Sequence, residues 1–329
     1  MNSDLPFALL LAAFTGALML LLPHISPHRY FFAITVAPGF RSSDEGRASL
    51  RRYYAAVVCS VVIAVVATLW LDQREPRATV PVAALSPALL GVAAFLLERS
   101  QVRRFAAPTP GVREAELVSE HDHLPRWIAL TLPPFALPLC AAAYLRAHWA
   151  EIPARFPVHF DAHNVANRWA DKTARTVYGP VVFAGGMMLI IILLILAMFY
   201  GSRRGRQRNA ILKMMVAVIY FLGLLFSGIG IMPAVQFSPS MLFIPALVFP
   251  LVLLVWIILV LRDPKMPADA TPDECWTLGA IYFNRQDPAV FVQRRIGFGY
   301  TPNFGNPLSW LIMAGFVAAL LGLVFTLPR

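Results

Sequence analysis

With 329 residues, 58% of them hydrophobic and only 14% charged, and a mean hydropathy of +0.63, the chain carries more apolar surface than a soluble domain can bury; soluble domains average about 25% charged residues. A soluble helical protein would also need a polar face on most of its helices, and the apolar blocks here lack one. The net charge of +10 is no nucleic-acid signature, because the basic residues are spread over loops at block ends, where membrane orientation and contact with anionic lipid account for them.

Eight blocks free of Asp, Glu, Lys, Arg and His are long enough for the roughly 20 helical residues that cross a hydrocarbon core. They cover residues 5–22, 53–71, 78–97, 127–145, 178–200, 214–234, 241–261 and 308–327. The first has no basic stretch before it and no small-residue cleavage site after it, which predicts a retained span rather than a signal peptide. Pro81 and Pro87 interrupt the third. The fourth holds Pro133, Pro134 and Pro138, and the sixth holds Gly223, Gly228, Gly230 and Pro233. Such breakers either allow close helix packing or open backbone carbonyls to a solute. No block contains an ionisable residue, which argues against a proton-coupled transporter.

Orientation follows from Lys and Arg, which are retained on the cytoplasmic side of short loops. With the N-terminus outside, 20 of the 28 basic residues fall on the cytoplasmic side and 8 on the outer side. Both termini are then outside, and the loop between the fourth and fifth blocks faces outward. Cys59, Cys140 and Cys275 have neither disulfide nor zinc spacing, and no cofactor is expected.

In the outer loop, "ARFPVHFD" alternates, with Phe156, Val158 and Phe160 on one side and Arg155, His159 and Asp161 on the other, which predicts a half-buried strand. Continued by two residues it would align His159, Asp161 and His163 as an array of metal ligands. The alternative is a compact loop in which His159 bonds backbone while Arg168, Asp171 and Lys172 form surface ion pairs. Trp169 suits a membrane-interface anchor. "EHDH" at 120–123 has ligand-type residues too, and reads as a solvated loop.

The run "PVHFDAHNVANRWADK" resembles the extracellular motif of the SdpI-like bacterial membrane proteins, matching at Pro157, His159, Phe160, Arg168, Trp169 and Lys172. Asn164, Ala166 and Asn167 stand where that family has Gly, Pro and Asp. Asn tolerates a left-handed backbone position, so the turn can survive. The resemblance implies a non-enzymatic protein of the bacterial cytoplasmic membrane, acting in immunity to a secreted peptide or in signalling. Its ligand-binding residues would be Pro157, His159, Asp161, Arg168, Trp169 and Lys172, with no catalytic or metal site. Expected partners are membrane lipids, an extracellular peptide and a cytoplasmic regulator, with no nucleic acid. A facilitative transporter or exporter and a membrane enzyme built on the His/Asp loop are the alternatives.

In the last long loop, "AIYF" and "AVFV" flank "NRQDP", a turn sequence, which predicts a β-hairpin. The pattern W-x-x-G-x-x-Y-x-N-x-x-D-P, then V-x-x-R-x-G-x-G-Y-T-x-N, resembles a short C-terminal domain of multipass proteins of the same group. It is carried by Trp276, Gly279, Tyr282, Asn284, Asp287, Pro288, Val292, Arg295, Gly297, Gly299 and Asn303. "GFG" lacks the third glycine and the Lys-Ser/Thr of a nucleotide loop, so these positions are expected to be structural, and Asp287→Asn mild. The segment "YFFAITVAPGFRSSDEGRASLRRYY", residues 30–54, is similar to the first cytoplasmic loop of those proteins. The expected architecture is an all-α polytopic membrane protein of about eight transmembrane helices with a small β-hairpin module in the last cytoplasmic loop. Its regions are 1–126 (three spans), 127–261 (four spans, outer motif at 151–175), 262–307 (aromatic and glycine module) and 308–329 (last span).

Overall fold

Helices run where the apolar blocks predict them. In the computed structural model, which describes residues 5–26, 29–107, 123–160, 165–203, 206–235, 237–238, 240–261 and 271–324, they are α1 (Leu5–Leu21), α2 (Asp44–Asp72), α3 (Pro76–Val102), α4 (Ala136–Ala147), α5 (Ala174–Gly201), α6 (Arg206–Val235), α7 (Ser240–Leu261) and α8 (Pro307–Val324). Among the described residues seven helical segments are long and apolar enough to cross a membrane. The protein is an all-α polytopic membrane protein.

Eight apolar helices among the described residues stand where about eight spans are expected. With 17 residues, α1 is at the short end of the roughly 17–25 residues that cross a hydrocarbon core. The chain turns directly after it, with the amides of His24 and Ile25 both bonded to the Leu21 carbonyl. The fourth block is not one α-helix. It begins as 3-10 turns, Arg126–Thr131 and Pro133–Phe135, before α4, because two successive prolines lack the N–H groups that an α ladder needs. Pro81 and Pro87, by contrast, lie inside an unbroken α3.

The chain forms two compact units. The first comprises Met1–Glu114, Ala268–Gln286 and Val292–Gly305; the second comprises Ala115–Pro267, Asp287–Phe291 and Asn306–Arg329. In the first, α1, α2 and α3 pack through small side chains, with Ala8, Ala12, Ala64 and Ala83 buried together. This is how membrane helices approach closely when no hydrophobic force drives them. A β-carbon on Gly91 would lie 2.7 Å from Cγ of Met19, so bulk is not tolerated at that crossing.

The loop after α1 is not a surface loop. Strands β1 (Tyr30–Phe31) and β2 (Ile34–Thr35) pair as an antiparallel hairpin, and every residue from Tyr30 to Val36 is buried. The two turn residues, Phe32 and Ala33, have φ of 46° and 59°, a left-handed conformation uncommon for side chains of this kind. Packing holds them there, since the Phe32 ring sits edge-on to Tyr53 and to Phe95, each 5.2 Å away. Ser43 then caps α2 by accepting from the Gly46 amide at 3.1 Å.

The last loop contributes two further sheets, β5 (Trp276–Thr277) with β6 (Ile281–Tyr282), and β7 (Phe291–Gln293) with β8 (Tyr300–Pro302). The predicted hairpin across "NRQDP" is therefore corrected: each of the two apolar runs pairs with a neighbour on its other side. The reason lies in the turn's own bonding. The Asn284 N–H donates to Asn303 Oδ1 (3.0 Å) and its carbonyl accepts from Asn303 Nδ2 (2.9 Å), so the Asn303 amide occupies both backbone groups.

In the second unit α5 and α6 form the central pair, with α4 against both, α7 beside α6 and α8 beside α5. Among the described residues, none in the most apolar stretch of α7 is buried by protein, as suits a helix whose neighbour is lipid. Between α4 and α5 lies an antiparallel hairpin of β3 (Arg155–Phe160) and β4 (Ala166–Asp171).

Candidate functional site

The β3–β4 hairpin is anchored at its base and open at its flanks. Phe156 is buried with Leu145, Ile152, Val177 and Val181, which ties β3 to the ends of α4 and α5. The Lys172 amide donates to the Ala154 carbonyl at 2.8 Å, while Nζ donates to the Ile152 carbonyl at 2.9 Å and lies 5.0 Å over the Trp149 ring. Trp149 in turn stacks on Tyr178. Thr173 and Thr176 complete a reciprocal capping box that starts α5 directly after the strand.

The register places Pro157 opposite Trp169 and His159 opposite Arg168, with a shift at Val158. Such a shift re-aims side chains on the bulged strand. The His159 ring, through Nδ1, shares a hydrogen bond with the Asn167 side-chain amide at 2.6 Å. Trp169 is half exposed, and Arg168 is exposed. Asp161, His163 and Asn164, and Glu120 to Asp122 of the other acidic stretch, lie outside the described residues. Among the described residues no group of three or more His, Cys, Asp or Glu could hold a metal ion.

Two concavities flank the hairpin. The smaller, about 210 Å³, is walled by Val158, Val177, Phe226, Ile229 and Gly230, with Arg168 as its charged lining residue. The larger, about 530 Å³, adds Arg155, Phe160, Trp169 and Phe237. Phe156, Pro157, Met232 and Pro233 belong to both walls, so the two lie side by side under the strand. Of the six residues expected to bind ligand, Pro157, Arg168 and Trp169 line these spaces, His159 lies beside them on β3, and Lys172 closes the hairpin base. Phe226, Met232 and Phe237 are not legible in the sequence as site residues. Their only signal is the break "GIGIMP" in the sixth block. Gly230 within it allows α6 to approach α5, because a β-carbon there would fall 2.6 Å from Val181 Cγ2.

The motif residues of the last loop serve a different purpose. Arg295 is fully buried in the first unit. It pairs with Asp273, donates to the Ala33 carbonyl at 3.2 Å and to the Thr271 carbonyl, and lies between the rings of Tyr30 (4.9 Å) and Trp276 (5.1 Å). Asp273 also accepts from the Thr35 amide (3.2 Å) and hydroxyl (2.8 Å). Arg99 donates to the carbonyls of Phe32 (3.2 Å), Ala33 (2.7 Å) and Trp276 (3.2 Å). These two arginines thus satisfy the carbonyls of a buried turn that water cannot reach.

Gly279 follows Leu278 in a second left-handed turn, with φ of 75°. Gly297 (φ 75°) and Gly299 (φ 118°) lie between β7 and β8. Tyr282 is fully buried against Trp276. In the second unit Asp287 accepts from the Ala289 amide at 2.9 Å and from Arg203 at 2.8 Å, and the Pro288 carbonyl accepts from Asn306 at 3.0 Å. Glu98, one residue beyond the third apolar block, carries no signal in the sequence. It is buried and accepts from Ser49 (2.6 Å) and from Arg52 Nε (2.9 Å) and Nη2 (2.8 Å).

Residues 285–310 match a family of unknown function, DUF5808. The match covers Asp287, Pro288, Arg295, Gly297, Gly299 and Asn303. No curated protein and no solved structure matches the chain.

Proposed function

We propose that this membrane protein recognises an extracellular or envelope peptide at the β3–β4 hairpin, in the manner of an SdpI-like immunity or signalling protein of the bacterial cytoplasmic membrane. The observation that carries the reading is the pair of apolar concavities under β3, each provided with an arginine and together lined by Pro157, Arg168 and Trp169. Apolar clefts with a few placed polar groups are the usual form of a binding site. The 20-to-8 distribution of basic residues favours the outer face for the hairpin. It favours the cytoplasmic face for the last-loop module, where a regulator would meet it.

The test is a toxin-peptide challenge of cells expressing the protein, the Trp169→Ala variant or neither. Protection by the wild type that is lost in the variant is expected, with both proteins present at equal level in the membrane. Equal survival of all three strains would sink the immunity reading. Failure of the purified protein to retain any peptide from a random pool would sink peptide recognition altogether.

A further inference from the structure

Resting on the peptide-recognition reading above, we propose that the smaller cavity reads the carboxyl terminus of the bound peptide: the apolar last side chain enters the cavity and its α-carboxylate pairs with Arg168. Size comes first. At about 210 Å³ the cavity is smaller than the roughly 300–1,000 Å³ of sites that enclose a whole small ligand, so it holds one side chain while the rest of the ligand lies outside. The adjoining larger concavity, with Phe160, Trp169 and Phe237, is the place for the residues that precede the last one.

Chemistry comes second. Among the described residues, the side chains that line the cavity are apolar but for Arg168 and Thr176, and none is acidic. The Thr176 hydroxyl is already engaged, donating to the Asp171 carbonyl at 2.6 Å. A guanidinium beside an apolar cavity matches a group that carries an apolar side chain and an anion on one carbon, and a C-terminal amino acid does so. An internal peptide residue has no backbone anion, so it could not place an apolar side chain in the cavity and a carboxylate on Arg168 from the same carbon. Arginine is also the side chain whose planar fork binds a carboxylate through two parallel hydrogen bonds, and carboxylate capture is an established mode of peptide recognition. Both walls come from the second unit, β3 and β4 on one side and α5 and α6 on the other, so the site is complete within one chain.

The experiment uses the full-length protein in phosphatidylcholine nanodiscs, incubated with a random hexapeptide pool made once with free carboxyl termini and once with terminal amides. Retained peptides are read by mass spectrometry. The expected result is enrichment of peptides ending in an apolar residue, roughly tenfold stronger for acids than amides, as a charge-assisted bond predicts. The preference should disappear in Arg168→Gln, persist in Arg168→Lys, and persist in Arg146→Gln, an exposed arginine in the last turn of α4 that lines neither space. Size-exclusion profiles confirm that the variants are folded. Equal retention of acids and amides overturns this inference while leaving peptide recognition standing, whereas retention of neither pool overturns both. Nanodiscs containing phosphatidylglycerol supply the remaining arm. Arg168-dependent binding of that lipid, with loss of the peptides, would make the cavity a lipid site and overturn the proposal.

Discussion

Gly279 meets Ala33 at the tips of two tight turns: a β-carbon added at 279 would lie 2.7 Å from the β-carbon of Ala33 and 3.1 Å from Arg99 Nη1. Gly279 also has φ of 75°, so a side chain there would be strained even with space to spare. We predict that Gly279→Ala destabilises the first unit by about 1–3 kcal/mol, the cost of a left-handed non-glycine residue. A lowered melting temperature of the detergent-extracted protein should report it, and an unchanged one would show that the two turns can separate freely.

Arg295 and Asp273 should be unequal to replace. Removing one partner of a buried pair leaves the other charge without compensation, typically a loss of about 3–5 kcal/mol. Arg295→Met is therefore expected to abolish monodisperse protein. Arg295→Lys should rescue little, because one ammonium cannot serve Asp273, two carbonyls and two aromatic faces at once. The double change Arg295→Met with Asp273→Asn should recover part of the loss. Additive losses in that cycle would contradict the pairing.

Asp287→Asn looks mild from the sequence, since Asn keeps an oxygen for the Ala289 amide. The ion pair with Arg203, in which the Asp287 side chain is only 2% exposed, changes that expectation. The substitution should cost about 1–3 kcal/mol, the penalty of leaving a buried partner unsatisfied. If the pair is the source of that cost, Asp287→Asn should have no further effect once Arg203→Met is in place. Thermal denaturation of the wild type, the two single variants and the double variant decides this.

Lys172 and Trp169 separate stability from recognition. Lys172→Ala removes the bond to Ile152 and the contact over Trp149, so the yield of folded protein should fall. Trp169→Ala touches a half-exposed side chain and should leave yield within error while weakening peptide retention. If both lower yield equally, the exposed face of the hairpin is a structural surface.

Topology is open to direct measurement in a protein whose Cys59, Cys140 and Cys275 have been changed to Ser. Asn167→Cys should react with an impermeant maleimide on intact cells, and Gln286→Cys only after lysis. Both positions are exposed in the structure, whereas the neighbouring Ala289 is fully buried and would report poorly. The reverse labelling pattern would invert the sides assigned to every loop.

Much of this molecule is legible along the chain. The spans, and the existence of the strand from Arg155 to Phe160, are local patterns that survive folding, whereas its strict alternation is interrupted by the register shift at Val158. Tyr30 to Val36 is not legible as a buried hairpin. No glycine or asparagine marks the Phe32–Ala33 turn, and it is Arg99, Phe95 and Tyr53, from two distant helices, that hold it. The pairing of β6 is hidden for the same kind of reason: the strand-like run before "NRQDP" joins Trp276 and Thr277 because the amide of Asn303, 19 residues away in the chain, occupies Asn284.

By itself the sequence determined the solvent of this protein, since hydrophobicity adds up residue by residue and a block of about 20 apolar residues needs no partner to prefer lipid. It also determined the asymmetry of basic charge between alternate loops, which is a property of composition. Only the tertiary structure decided that Arg295 would be buried between Tyr30 and Trp276 rather than exposed at a membrane surface, because that cation is stable only where Asp273 and the carbonyls of a remote turn converge on it. It alone decided that Met232 and Pro233 of α6 would complete a cavity with Pro157 and Arg168. A cavity is a relation between surfaces brought together by packing, and these lie more than 60 residues apart in the chain.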